Sequence, residues 1–202
     1  MKQRGFTIIE VVIVVALTAF LLTAVMPSVS AWMRNSRIRT AAESISTGLQ
    51  QARNEAVRRN QPVGFYMVSD SDAMSMSDAC ALSSTSSGWV VALASPAGKC
   101  ATDRDTFISL RVAGDTAIGL AVAAKDAGGG NANTVTFNGY GQIADASPIS
   151  CIKVSNTSDT NARVLALTLN AGGQIRMCDA GVNDSNDPRY CQSPAVPGVG
   201  CN

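Results

Sequence analysis

The sequence predicts an α+β chain: a long N-terminal helix, hydrophobic and then amphipathic, packed on an antiparallel β-sheet head that is tied by disulfides. Three observations predict it. Over residues 6–26, only Glu10 is charged. Over residues 28–60, small and aliphatic side chains recur every three or four positions. Beyond Pro62, short β-rich runs alternate with Gly-, Ser- and Asp-rich turns, and all six cysteines lie in that part. The expected segments are a leader at 1–5, a membrane-spanning helix at 6–27, a stem helix at 28–60 and a β-rich head at 61–202 with a disulfide-tied tail.

At about 1.5 Å rise per residue, the 21 residues of 6–26 span about 30 Å, the thickness of a bilayer core. Lys2 and Arg4 precede the span directly, which places the N-terminus in the cytoplasm and the rest of the chain across the membrane. A charge inside such a span costs about 3 kcal/mol unless it is paired, so Glu10 is a candidate functional residue. A secretory signal peptide with a cleavage site at Val29-Ser30-Ala31 is one competing reading, but the run exceeds its usual apolar length and holds an acid. A plain anchor explains the length and gives Glu10 no role. Pro27 lacks an N–H and is expected to bend or loosen the helix near the membrane surface.

The short basic leader ends in Gly5, and Phe6, Thr7, Ile8 and Glu10 follow. This pattern resembles a type IV prepilin. The resemblance implies that a prepilin peptidase cuts between Gly5 and Phe6 on the cytoplasmic side and that Phe6 becomes the N-methylated first residue. It also implies that Glu10 meets the N-terminal amine of a neighbouring subunit when apolar helices bundle, and so sets register. A buried carboxylate without that partner is strongly unfavourable.

Without the leader the chain carries 14 basic and 15 acidic residues, a formal charge of −1. Residues 28–60 carry six arginines against Glu43 and Glu55, while 61–202 carry 8 basic and 12 acidic residues. A basic stem under an acidic head suits packing between neighbours or anionic lipid head groups, and equally a solvated helix face. The absence of histidine excludes Ser-His-Asp and Cys-His chemistry and histidine-ligated zinc. The cysteine spacings contain no CxxC, and an even count beyond the span reads as disulfides in an oxidising periplasm. Six cysteines permit 15 pairings. The favoured set is Cys80–Cys100, Cys178–Cys191 and Cys151–Cys201.

In chain order, Ile38, Ala42, Ile45, Leu49, Ala52 and Ala56 form one helix face, and Gln61-Pro62 ends the helix. Strands are expected at 63–68, 89–94, 106–112, 135–138, 149–154, 164–169 and 174–178. Residues 69–87 read as a loop holding Cys80. Asp70, Asp72 and Asp78 in it face solvent and lack the spacing of a calcium loop. Gly128-Gly129-Gly130 lacks a following Gly-Lys-Ser/Thr and reads as a flexible linker. Gly139-Tyr140-Gly141 and Gly172-Gly173 mark turns. Leu165, Leu167 and Leu169 would cover the helix face and leave the other side of their strand wet. The tail from Asp179 reads as irregular, held down by Cys191 and Cys201. No cofactor, no metal and no enzymatic activity are expected.

The helix, the strand series, the glycine-turned final hairpin and the cysteine-bearing tail with Asp187-Pro188-Arg189 resemble the GspH/FimT/FimU family of minor pilins and pseudopilins, FimU-type members most of all. One departure is Ala19, where many major pilins have a helix-loosening glycine. The resemblance implies a minor pilin of a type IV pilus that primes assembly or caps the filament tip. Its partners would be other minor pilins, the major pilin, the inner-membrane assembly platform and the prepilin peptidase. It would sit in the bacterial inner membrane, single-pass with the head in the periplasm, and then at the pilus tip or cell surface. A FimT-like role in DNA uptake is an alternative, with Arg176 and Arg189 as the contacts. Here Gly173-Gln174-Ile175-Arg176 stands in place of a Gly-Arg-x-Arg motif, and residues 146–202 hold four basic against four acidic residues. That balance offers no positive excess for phosphates. A minor pseudopilin of type II secretion is the other alternative.

Overall fold

The computed structural model describes residues 7–72, 74–115, 119–159 and 162–191, the side chains at 23–27 and 115 excepted. The chain begins with α1 (Ile8–Arg59), 52 residues and so about 78 Å long. Thr7 caps it: its backbone is extended and its Oγ1 accepts the N–H of Glu10 at 3.3 Å. The helix is unbroken across Ala19 and Pro27. It stops where Asn60 turns into the left-handed region (φ 50°, ψ 40°) and donates its N–H to the last-turn carbonyls of Ala56 and Val57.

The head is two antiparallel sheets. The first joins β1 (Val63–Ser69), β2 (Ala81–Leu82), β3 (Trp89–Ala92) and β4 (Ser109–Arg111) in the order β2-β1-β3-β4. The second joins β5 (Leu120–Lys125), β7 (Cys151–Asn156), β8 (Leu165–Leu169) and β9 (Ile175–Asp179) in that order. Between them in sequence, β6 (Thr134–Phe137) pairs with β1 and belongs to the first sheet. The second half of α1 lies across both sheets. Its face of Ile38, Ala42, Ile45, Leu49, Ala52 and Ala56 is at most 1% exposed and packs with Phe65, Val91, Phe137, Ile152 and Leu167. The small residues of that face bring the helix close. At Gly48 a Cβ would lie 2.8 Å from Phe65 and 2.9 Å from Trp89, so only glycine lets these rings rest on the helix. Trp89 satisfies its indole by donating to Ser44 Oγ at 3.1 Å.

Each sheet is also covered on its far side. Tyr66, Val68, Val90 and Ala92 pack under Met76 and the Cys80–Cys100 bridge. Ala166 packs with Cys151 and the Cys178–Cys191 bridge. The far side of β8, expected to be wet, is therefore buried: Ala166 is 0% and Thr168 8% exposed. The bridge folds the chain after β9 back, and Tyr190 pairs beside Asp179. Five further expectations are corrected. The run 120–125, not anticipated as a strand, pairs along its whole length with β7. The loop at 69–87 contains β2, which lengthens the sheet at Val68 and Ser69. The third strand shrinks to β4, because residues 104–106 close a 3-10 turn. The glycine run is a hydrogen-bonded turn: the Asp126 carboxylate accepts the N–H groups of Gly128 and Gly130 at 2.9 and 2.8 Å, and Gly129 adopts φ +85°. The loop aspartates bind backbone rather than only water. Asp70 accepts the Ser77 N–H at 2.6 Å, Asp72 the Met74 N–H at 3.0 Å, and Asp78 the N–H groups of Ala101 and Thr102.

Candidate assembly interface

The first turns of α1 are exposed on every side. Ile8 is 86% exposed and Phe20 73%, and Val11, Ile13, Leu17 and Leu21 are exposed on the other sides of the same helix. A helix that is hydrophobic all round needs lipid or other helices to cover it. Glu10 lies in its first turn, an acid on an otherwise apolar rod. Among the described residues no helix is long and apolar enough to cross a membrane. Phe6 and the side chains at 23–27, all within the expected span and bend, lie outside them, as does the Gly5–Phe6 cleavage position.

Below the rod, the head begins at a polar collar. Arg34 pairs with Asp159 at 3.0 Å, and Asn35 Oδ1 accepts the N–H of Arg163 at 3.0 Å. Arg163 in turn holds Asp179 at 2.7 Å. Between rod and collar, Trp32 is 70% exposed, with Val29 and Met33 beside it. Sequence reasoning missed the collar, since residues 128 apart join there and no local pattern announces it. At the other end of α1, Glu55 is clamped by Arg58 and Arg59 at 2.6 and 2.8 Å. The Arg58 hydrogen bond, then that of Arg59, holds its carboxyl down at about 2.

The two arginines considered for nucleic acid face the tail. Arg176 donates to the Pro188 carbonyl at 2.8 Å, and Arg189 pairs with Asp187 at 2.7 Å, holding that carboxyl down at about 2. Gln174 sits in the β8–β9 turn, where its N–H donates to Asn170 Oδ1 at 3.0 Å. The cysteines lie in three places. Cys80 joins Cys100 with Cα atoms 6.1 Å apart, and Cys178 joins Cys191 at 5.1 Å. Cys151 is also disulfide-bonded, and Cys201 lies outside the described residues. The arrangement offers surfaces for contact: a bare apolar rod, a basic stem and a cross-linked head.

The family model described as Type II transport protein GspH matches residues 41–173, and that of the prokaryotic N-terminal methylation motif matches residues 1–26. No curated protein matches the sequence. Among solved structures, two crystal forms of the type IV minor pilin FimU of Pseudomonas aeruginosa are similar to the chain. Their identities are 18% and 17% and their TM-scores 0.44 and 0.47. The matches cover 69% and 72% of this chain and 90% and 91% of those chains.

Proposed function

From the premise that this chain belongs to the GspH family of minor pilins and pseudopilins, we propose that it is a minor pilin that primes a type IV pilus or caps its tip. One observation carries the reading: an apolar rod, uncovered in the single chain and bearing one acid, continues without a break into the helix that forms the core of the head. Such a rod is stored in a membrane and leaves it only into a bundle of like rods. There the Glu10 carboxylate takes the amine of a neighbouring, methylated N-terminus as its counter-ion, which fixes register between subunits. Before assembly the head lies in the periplasm, and the prepilin peptidase has removed residues 1–5. The assembly platform, the major pilin and other minor pilins are its partners. The protein transforms no substrate.

The test is Glu10→Val in the native host. The variant is expected to insert and lose its leader normally, read by intact mass of the membrane-extracted protein, yet to be missing from sheared filaments on immunoblot. Incorporation at the wild-type level would overturn the role of Glu10. A second reading, a type II secretion pseudopilin, is favoured by the description of the matched family. Deletion separates the two: loss of surface pili supports the first, and loss of exoprotein secretion with pili intact supports the second. The engagement of Arg176 and Arg189 with the tail speaks against the DNA-uptake alternative.

A further inference from the structure

Between α1 and the edge of the first sheet lies a pocket of about 470 Å³, lined among others by Ser44, Thr47 and Gln51 of the stem, Trp89 of β3, Arg111 of β4, and Arg104. Ser44, Thr47 and Gln51 are spaced three and four apart and so share one helix face. Arg111 stands directly across from Trp89 in the ladder, so both project to the side of the sheet that α1 covers. The Nε of Arg111 is shut off from solvent and has no acceptor among the described residues. Among the described residues neither Arg111 nor Arg104 forms an ion pair, so the rest of each guanidinium is left to meet an anion that enters the pocket. The Ser44 hydroxyl accepts from Trp89 and keeps its own proton to give. No carboxylate is among the described residues that line the pocket. In a head with 8 basic and 12 acidic residues, two arginines around one concavity run against the prevailing charge.

We propose that this pocket receives a single carboxylate side chain of a neighbouring filament subunit. The partner clause rests on the pilin reading above; the chemistry of the pocket does not. Two arginines match a single carboxylate, not the run of phosphates of a polyanion, which disfavours nucleic acid. Ser44 lies 18 residues past Met26 on the same helix, about 27 Å beyond the expected span and several Debye lengths from lipid head groups. The pocket opens beside the stem, the part of the chain that neighbours approach when rods bundle. Trp89 lines the pocket beside the Ser44 hydroxyl, so a carboxylate that enters meets an arginine fork and a hydroxyl donor together.

The test has two arms. In the first, full-length protein in detergent, labelled with 15N-arginine, is titrated with acetate, inorganic phosphate or neutral acetamide. The Arg111 Nε–H signal is identified by its loss in Arg111→Lys. A saturable shift with acetate and none with acetamide is expected, and Arg104→Met should weaken it about tenfold, the effect of one charge-assisted hydrogen bond. No shift, a shift with phosphate alone, or an equal response to acetamide overturns the proposal. In the second arm, a photoreactive residue replaces Gln51 in piliated cells, with one at Ile13 as a control on the rod. A cross-link from position 51 to an Asp- or Glu-bearing peptide of another pilus subunit, lost in Arg111→Met and kept in Arg111→Lys, supports it. Silence at 51 while Ile13 cross-links, or a cross-link indifferent to Arg111→Met, overturns it. Silence at both positions overturns the filament reading and with it the partner clause, while the acetate titration still decides the chemistry of the pocket.

Discussion

Arg53 donates its Nε–H to the carbonyl oxygen of Gly141 at 3.0 Å, joining residues 88 apart. Gly173 presses on the same carbonyl: a Cβ added there would collide with the Gly141 oxygen, and the residue holds φ +73°. The helix, the turn after β6 and the β8–β9 turn thus meet at one point.

Gly173→Ala should cost about 2–4 kcal/mol, from a left-handed backbone on a residue with a Cβ together with the collision. Arg53→Met should cost about 1–2 kcal/mol by leaving the carbonyl without its charged donor. Urea denaturation of both variants measures this. Unchanged stability in Gly173→Ala would show that the two turns are free to move apart.

Gly48→Ala sets two effects against each other. Helix propensity favours alanine by about 1 kcal/mol. The new methyl would lie 2.8 Å from the Phe65 ring and 2.9 Å from Trp89, both within the core, and overpacking costs about 1–3 kcal/mol. A net loss of stability is expected, with a shift in Trp89 fluorescence. A more stable protein would mean that the rings yield freely.

Acid should weaken the head in a defined window. The Arg58 and Arg59 hydrogen bonds hold Glu55 at about 2, the Ser77 N–H holds Asp70 at about 2, and Arg189 holds Asp187 at about 2. In the unfolded chain these groups titrate near 4. The unfolded state therefore takes up protons first as pH falls, and the contribution is complete above about pH 5 and lost between about pH 4 and 2. Solvent screening keeps each contribution small. Melting temperature should be level from pH 7 to 5 and fall below 4, with a shallower fall in a variant carrying Glu55→Gln, Asp70→Asn and Asp187→Asn. Identical slopes would remove these carboxyls as the cause.

Replacing Cys178 and Cys191 with alanine should cost about 3 kcal/mol, as expected for a loop of 13 residues. It should also uncover Ala166 and speed proteolysis after Asp179. A tail that stays protected would show that Arg176 and the Asp179–Tyr190 pairing suffice to hold it.

Much of this architecture was legible in the chain. The face from Ile38 to Ala56 was readable because spacings of three and four place side chains on one side of a helix, whatever they pack against. The helix end was readable because Gln61-Pro62 adjoins it, and proline disfavours a helical residue before it. β5 was not, since its Leu-Ala-Val-Ala-Ala-Lys run lacks both alternation and β-branched weight, and its pairing with β7 comes from tertiary contact. The covered far side of β8 depends on which cysteines meet, which spacing alone does not determine. Of the candidate interface, the rod and its acid are local and were plain. The arginine pocket joins stem, β3 and β4 and exists only once they fold together.

Because α1 passes from rod to head without a joint, the two ends of the molecule turn as one lever. A pull along the filament would load the contacts from Ile38 to Ala56 side by side, as shear along the axis, while the ion pair at Arg34 and Asp159 acts as a latch at the neck. A subunit fastened in this way would transmit tension to whatever its head grips instead of yielding at its own waist.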